Sequence, residues 1–190
     1  GFDHMKAALS AGVQKMVRSD KAGSGVMFTI DTETGFDKVV MINAAWGLGE
    51  TVVQGTVNPD EYAVFKPLLE DDELEPIVDR TIGGKKHKMV YGKRGNHTRT
   101  VKTAKKEQER AVLASDEILM LARWGVTIER HYGKPMDIEW AKDGDSGELF
   151  IVQARPETVQ SQKEAGSMKS YHLTESGKRL VEGLAIGQGI

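Results

Sequence analysis

Two short runs constrain this chain more than any other feature: Pro135-Met136-Asp137-Ile138-Glu139-Trp140 and Phe150-Ile151-Val152-Gln153-Ala154-Arg155-Pro156. Each alternates polar and apolar residues, the period of a strand with one face buried. Residues two apart share a face, so Asp137 projects with Glu139, and Gln153 with Arg155. Between them, Lys142-Asp143-Gly144-Asp145-Ser146-Gly147 is a run of turn formers. The expected unit is an antiparallel hairpin with two carboxylates, an amide and a guanidinium on one surface. Carboxylates can hold Mg²⁺ through oxygen, and an arginine beside them can clamp phosphate. That inventory suits a nucleoside triphosphate. The ordinary alternative is a solvated face with cross-strand pairs of opposite charge.

Composition narrows the classes. A length of 190 residues allows one domain with a real core, or a domain plus part of another. The net charge of −2 gives no reason to expect a nucleic-acid partner. The absence of cysteine removes disulfides, thiolate metal sites and thiol catalysis together. No apolar run approaches the roughly 20 residues of a membrane span. No leader segment is visible, so a cytoplasmic protein without membrane contact is expected, and a chain opening Gly-Phe-Asp reads as a fragment.

Along the chain, Val13 to Val17 reads as a short strand, and Ser24 to Asp31 as another. In the second, Val26, Phe28 and Ile30 face one way, taken as the apolar side, and Met27, Thr29 and Asp31 the other. Lys38 to Ala44 is apolar on both faces and therefore central. Tyr62 to Phe65 is a strand, and Glu70 to Glu75 an acidic exposed loop. Lys85 to Tyr91 pairs with Arg99 to Lys102 as a basic hairpin. Its Lys85-Lys86-His87-Lys88 cluster is read as a solvated surface, since few aromatics interleave with it. A long helix is expected over Lys105 to Tyr132, with Val112, Ile118, Leu119, Ala122, Val126 and Ile128 on its apolar face. Gly133 and Pro135 stop it. After Pro156 the composition is that of a linker up to about Ser170.

Trp46-Gly47-Leu48-Gly49-Glu50 follows a buried strand. Its glycines would let backbone N–H groups approach a phosphate, and Glu50 would add a carboxylate for a metal. A structural turn explains the same letters, and the string is neither a Walker A loop nor a dinucleotide fingerprint. The hydroxyl of Thr29 could donate to a phosphate, or Thr29 is simply a strand former. The five histidines (His4, His87, His97, His131, His172) are scattered without ligand spacing.

Taken together, several strings resemble the phosphoenolpyruvate synthase (pyruvate, water dikinase) family. They are Ser24-Gly25-Val26-Met27-Phe28-Thr29, Asn43-Ala44-Ala45-Trp46-Gly47-Leu48-Gly49-Glu50 with Val52-Val53-Gln54-Gly55, Asn58-Pro59-Asp60-Glu61-Tyr62, Leu121-Ala122-Arg123-Trp124, Tyr132 to Trp140, and Gln153-Ala154-Arg155-Pro156. The resemblance implies an α+β, ATP-grasp-like nucleotide-binding domain with a mixed or antiparallel sheet and one long helix. It would occupy residues 1–158, followed by a linker over 159–178 and the start of a swivelling phosphohistidine domain over 179–190. It implies that Glu50 and Glu139 serve Mg²⁺–ATP with Gln153 nearby and Asp137 in support. Thr29 and Arg155 would contact the β- and γ-phosphates, and Gln14-Lys15-Met16-Val17 would be the strand beside the adenine. The family's reaction takes pyruvate, ATP and water to phosphoenolpyruvate, AMP and phosphate through a phosphohistidine. The family's Val-Arg-Ser-Ser string and the glycine-lysine segment of the other half-site are not recognised here. His172 lacks the Thr-x-x-His context of the family's catalytic histidine. The resemblance thus implies a chain inactive by itself, and a full-length enzyme for which a homo-oligomer is one option. Related dikinases with another acceptor, a non-catalytic nucleotide-binding module and an ATP-grasp ligase are the alternatives.

Overall fold

The computed structural model describes residues 11–71, 73–92 and 97–158. The expected linker and swivelling-domain start, with His4 and His172, lie outside the described residues. A six-stranded sheet organises the rest, in the order β4-β3-β2-β1-β7-β8 with every pair antiparallel. Its strands are β1 (Gly23–Phe28), β2 (Val39–Trp46), β3 (Asp60–Phe65), β4 (Ile77–Thr81), β7 (Met136–Lys142) and β8 (Leu149–Pro156). A second sheet pairs β5 (His87–Tyr91) with β6 (Thr98–Lys102), the basic hairpin read from the sequence. The α+β class and the antiparallel sheet are as the sequence implied.

Helix α3 (Ser115–Tyr132) packs on one face of the large sheet. Its Ile118, Leu121 and Ala122 are fully buried against Met27, Ile42, Tyr62, Met136, Ile138 and Trp140. Burial of each large side chain contributes about 1.5–3 kcal/mol. The helix ends at Gly133, whose φ of 66° is the left-handed cap that only glycine adopts without penalty. Among the described residues no helix is long and apolar enough to cross a membrane.

Three expectations are corrected. First, the helix expected over Lys105 to Tyr132 is two helices, α2 (Lys105–Gln108) and α3. Val112 and Leu113, between them, are core residues of an irregular segment. The Val112 N–H is taken by a side chain, Asp60 Oδ2 at 2.8 Å, and so is not available to a helical carbonyl. The following Ala114 N–H donates to Glu117 Oε2 at 3.0 Å, which starts α3 afresh. Second, Val13 to Val17 forms no strand; Val13 is wholly exposed and Met16 is 65% exposed. Third, the faces of β1 are reversed. Met27 and Thr29 point into the core at 0% exposure, while Val26 and Phe28 are half-buried on the opposite face.

The glycine loop after β2 carries the β5–β6 hairpin. Gly47 (φ 88°) bridges Met89, and the Leu48 N–H donates to the Met89 carbonyl at 2.9 Å. A side chain at Gly47 would collide with that carbonyl. Another tie is a buried ion pair. Asp60 Oδ1 accepts from Lys85 Nζ and from the Gly83 N–H, and Asp60 Oδ2 from the Val112 N–H and the Tyr62 hydroxyl. Both ionic side chains have 0% exposure. Lys85, grouped by sequence with a solvated cluster, is therefore a core residue. A charge in that position survives because its partner and the Gly83 carbonyl accept hydrogen bonds from the ammonium.

Candidate functional site

The face of the sheet away from α3 is the polar one. Cross-strand register lines up Glu61, Asn43, Val26, Glu139 and Gln153 on β3, β2, β1, β7 and β8. The adjacent row is Ala63, Met41, Phe28, Asp137 and Arg155. The four residues read from the alternating runs therefore share one surface, with Asp137 directly opposite Arg155 and Glu139 directly opposite Gln153. A register irregularity after Glu139, where β8 carries the extra residue Val152, leaves these pairs undisturbed.

Arg155 is held by Asp137: its Nε donates to Asp137 Oδ2 at 2.8 Å, and a terminal guanidinium nitrogen lies 2.7 Å from the same oxygen. The Arg155 side chain remains 65% exposed. Glu139 is half-buried and Gln153 exposed. Glu50 opens the short helix α1 (Glu50–Val53) and accepts a hydrogen bond from Gln54 Nε2 at 2.9 Å. Glu50 and Glu139 line one cleft of about 440 Å³ together with Met16, Val17, Ser24, Leu48, Gly49 and Tyr91. Gln14, Lys15, Met16 and Val17 form one side of a neighbouring groove of about 760 Å³, whose other side is β8 with Phe150 and Val152. The structure thus brings together Glu50, Glu139, Met16 and Val17 at one cleft, with Gln14 and Lys15 beside it. Gln153, Asp137 and Arg155 share its sheet face.

Thr29 is not brought there. It is fully buried beneath α3, where its hydroxyl accepts the Met136 N–H at 2.9 Å and its own carbonyl accepts Lys66 Nζ. Burial outweighs the Glu129 carboxylate at 2.6 Å and pushes the Lys66 ammonium below its ordinary range.

Sequence reasoning missed Asn43, Glu61 and Tyr91. Asn43 Nδ2 reaches Glu61 Oε1 at 3.5 Å, and burial, then the charges of Glu33 and Asp79, push the Glu61 carboxyl above its ordinary range. The sequence placed Asn43 in the central strand Lys38 to Ala44 but began the next strand at Tyr62, one residue past Glu61, and only register shows that both continue the row of Glu139.

A sequence model of the family described as pyruvate phosphate dikinase, AMP/ATP-binding domain, matches residues 1–175. The chain belongs to this family, whose matched domain is the one that binds adenine nucleotide. It is similar along its whole length to phosphoenolpyruvate synthase of Helicobacter pylori (54% identical) and of Escherichia coli (56% identical), and to a probable phosphoenolpyruvate synthase of Methanocaldococcus jannaschii (44% identical). It spans 25%, 24% and 15% of their respective lengths.

Proposed function

We propose that this chain forms one wall of an Mg²⁺–ATP site in a phosphoenolpyruvate synthase. The observation that carries the proposal is the convergence of Glu50 and Glu139 on a single cleft, with Arg155 on the same sheet face. Mg²⁺ commonly binds through one or two carboxylates, completing its shell with water and substrate phosphate. Two carboxylates at one cleft fit that habit, and among the described residues no cluster of three or more acidic or histidine side chains forms an all-protein cage. When bound, Mg²⁺ would offset the charge of the β- and γ-phosphates.

The chain's own residues do the rest. Glu50 and Glu139 would hold the metal from two elements, a helix start and a strand. Asp137 aims Arg155 and leaves its outer N–H donors for phosphate oxygens, the geometry in which a guanidinium binds best. Gln153 would add a neutral donor beside Glu139. The apolar side chains of Met16 and Val17 offer a surface for the base. Thr29, whose buried hydroxyl is taken by the Met136 N–H, has no part in this reading. In the whole enzyme the β,γ-pyrophosphoryl group would pass to a histidine outside this chain, water would remove the γ-phosphate, and pyruvate would take the remaining phosphoryl group. The choice of acceptor would lie in those outer parts.

Replacing Glu139 with glutamine tests the site. In the full-length enzyme, transfer of label from the β-phosphate of ATP to histidine should fall by at least about a hundredfold, the scale of losing one charge clamp at a phosphoryl-transfer centre. A well-folded E139Q enzyme labelled at the wild-type rate would refute the assignment. Failure of the wild-type enzyme to form phosphohistidine would remove the synthase reading itself.

A further inference from the structure

Residues 14–17 have no regular secondary structure, yet Met16 and Val17 line the cleft of Glu50 and Glu139. Their position must be imposed by a neighbouring anchor, and that anchor is Arg18. Its N–H donates to Asp143 Oδ2 at 3.0 Å, and its carbonyl accepts the Gly144 N–H at 3.1 Å. The other carboxylate oxygen of Asp143 accepts the N–H groups of Asp145 at 2.8 Å and Ser146 at 3.1 Å. Asp143 immediately follows β7, the strand of Asp137 and Glu139. The Arg18 guanidinium is held by Asp20 and lies over the ring of Tyr91, another residue of the cleft.

We propose that Asp143 is a positioning residue for nucleotide binding, its carboxylate fixing the Met16–Val17 wall in register with Glu139. The inference rests on the reading of this face as the ATP site. One strand then sets both sides of the cleft: four residues before its turn it carries a metal-facing carboxylate, and at the turn it holds the opposite wall. The three backbone N–H groups favour the charged form and hold the Asp143 carboxyl below its ordinary range. A wall ordered before the nucleotide arrives avoids ordering it at binding, which would weaken affinity. The exposed Lys21–Asp145 pair at 2.6 Å ties the same turn to the same segment without touching the Arg18 backbone, and so serves as the control.

The test is an Mg²⁺–ATP titration of the ¹⁵N-labelled full chain, comparing wild type with D143A, D143N and D145N. D143A removes three hydrogen bonds, of which the one from the Arg18 N–H ties down the wall, and losing that tie should weaken binding about fivefold. Amide signals of Met16 and Val17 should lose their response to nucleotide while those of Glu139 and Gln153 keep theirs. D143N, which retains a carbonyl acceptor, should fall between, and D145N should bind like wild type. A purely structural Asp143 would lower the melting temperature and leave the Met16 and Val17 responses intact, which would overturn the proposal. D143N makes the same discrimination if D143A does not fold. A wild-type chain without response at Glu139 and Gln153 overturns the site reading, and this inference with it.

Discussion

A single hydroxyl shows how the same letter divides between structure and chemistry. Thr29 sits in a string shared with a phosphotransferase family, yet its hydroxyl caps the first amide of β7 from beneath the helix. T29V should cost about 1 kcal/mol or more in urea unfolding, because the Met136 N–H is left without its partner. Nucleotide-induced shifts should survive it. Two carboxylates predict opposite pH limbs. Glu61 is raised, so the native state binds its proton more readily than the unfolded chain. Its contribution to stability is present below the ordinary glutamate range and lost as pH rises through the raised native value. Asp143 is lowered, so its contribution is present above the ordinary aspartate range and lost as pH falls through the lowered native value. Urea midpoints against pH should show E61Q flattening the first limb and D143N the second. Unchanged limbs in both variants would contradict these environments.

Among the elements, the joint between β3, the Gly83–Lys85 segment and the Val112 segment depends on one carboxylate. K85M should destabilise by about 3–5 kcal/mol, the usual loss when one partner of a buried pair is removed. Asp60 would keep its three neutral donors but lose its counter-charge. A K85M chain unfolding at the wild-type urea midpoint would show that the pair contributes nothing. This joint was also where the sequence was least legible. The β7–β8 hairpin and the shared face of its four polar residues could be read because strand period and turn composition are both local, while the pairing of Glu139 with Gln153 came only with the structure. The strand Val39–Trp46 could be read as central because both its faces are apolar. The break between α2 and α3 could not, because Val112 fits a helical stripe, and only a carboxylate distant in sequence claims its amide. Lys85 looked solvated among its basic neighbours for the same reason. In β1 both faces carry apolar residues, so alternation alone could not say which one α3 covers. The segment Val13–Val17 has strand letters but no strand beside it in the register.

At the scale of the molecule, the described residues form a large sheet with one face covered by α3 and the other graded from apolar at Val26 and Phe28 to ionic at Glu139, Asp137 and Arg155. The carboxylates of Glu50 and Glu139 come from elements far apart in sequence, α1 and β7, and line one cleft with Met16, Val17 and the Tyr91 ring. Membership of the AMP/ATP-binding family accords with such a face, and the proposal is that its Glu50 and Glu139 meet metal and its Arg155 meets phosphate. Acidic residues also gather elsewhere, at Glu70, Asp71, Glu73 and Glu75 and around Glu61, and these are the competing places for a cation.

Paramagnetic broadening by Mn²⁺–ATP discriminates among these places. With Mn²⁺ in place of Mg²⁺ and nucleotide in millimolar excess, amide signals near the bound metal disappear from the ¹⁵N spectrum of the chain. The account predicts loss centred on Gly49, Glu50 and Glu139, extending to Gln153 and sparing Ile118 and Leu121 on the far side of the sheet. Loss centred on Glu70–Glu75 or on Glu33, Glu61 and Asp79, with Glu50 and Glu139 unaffected, would contradict it.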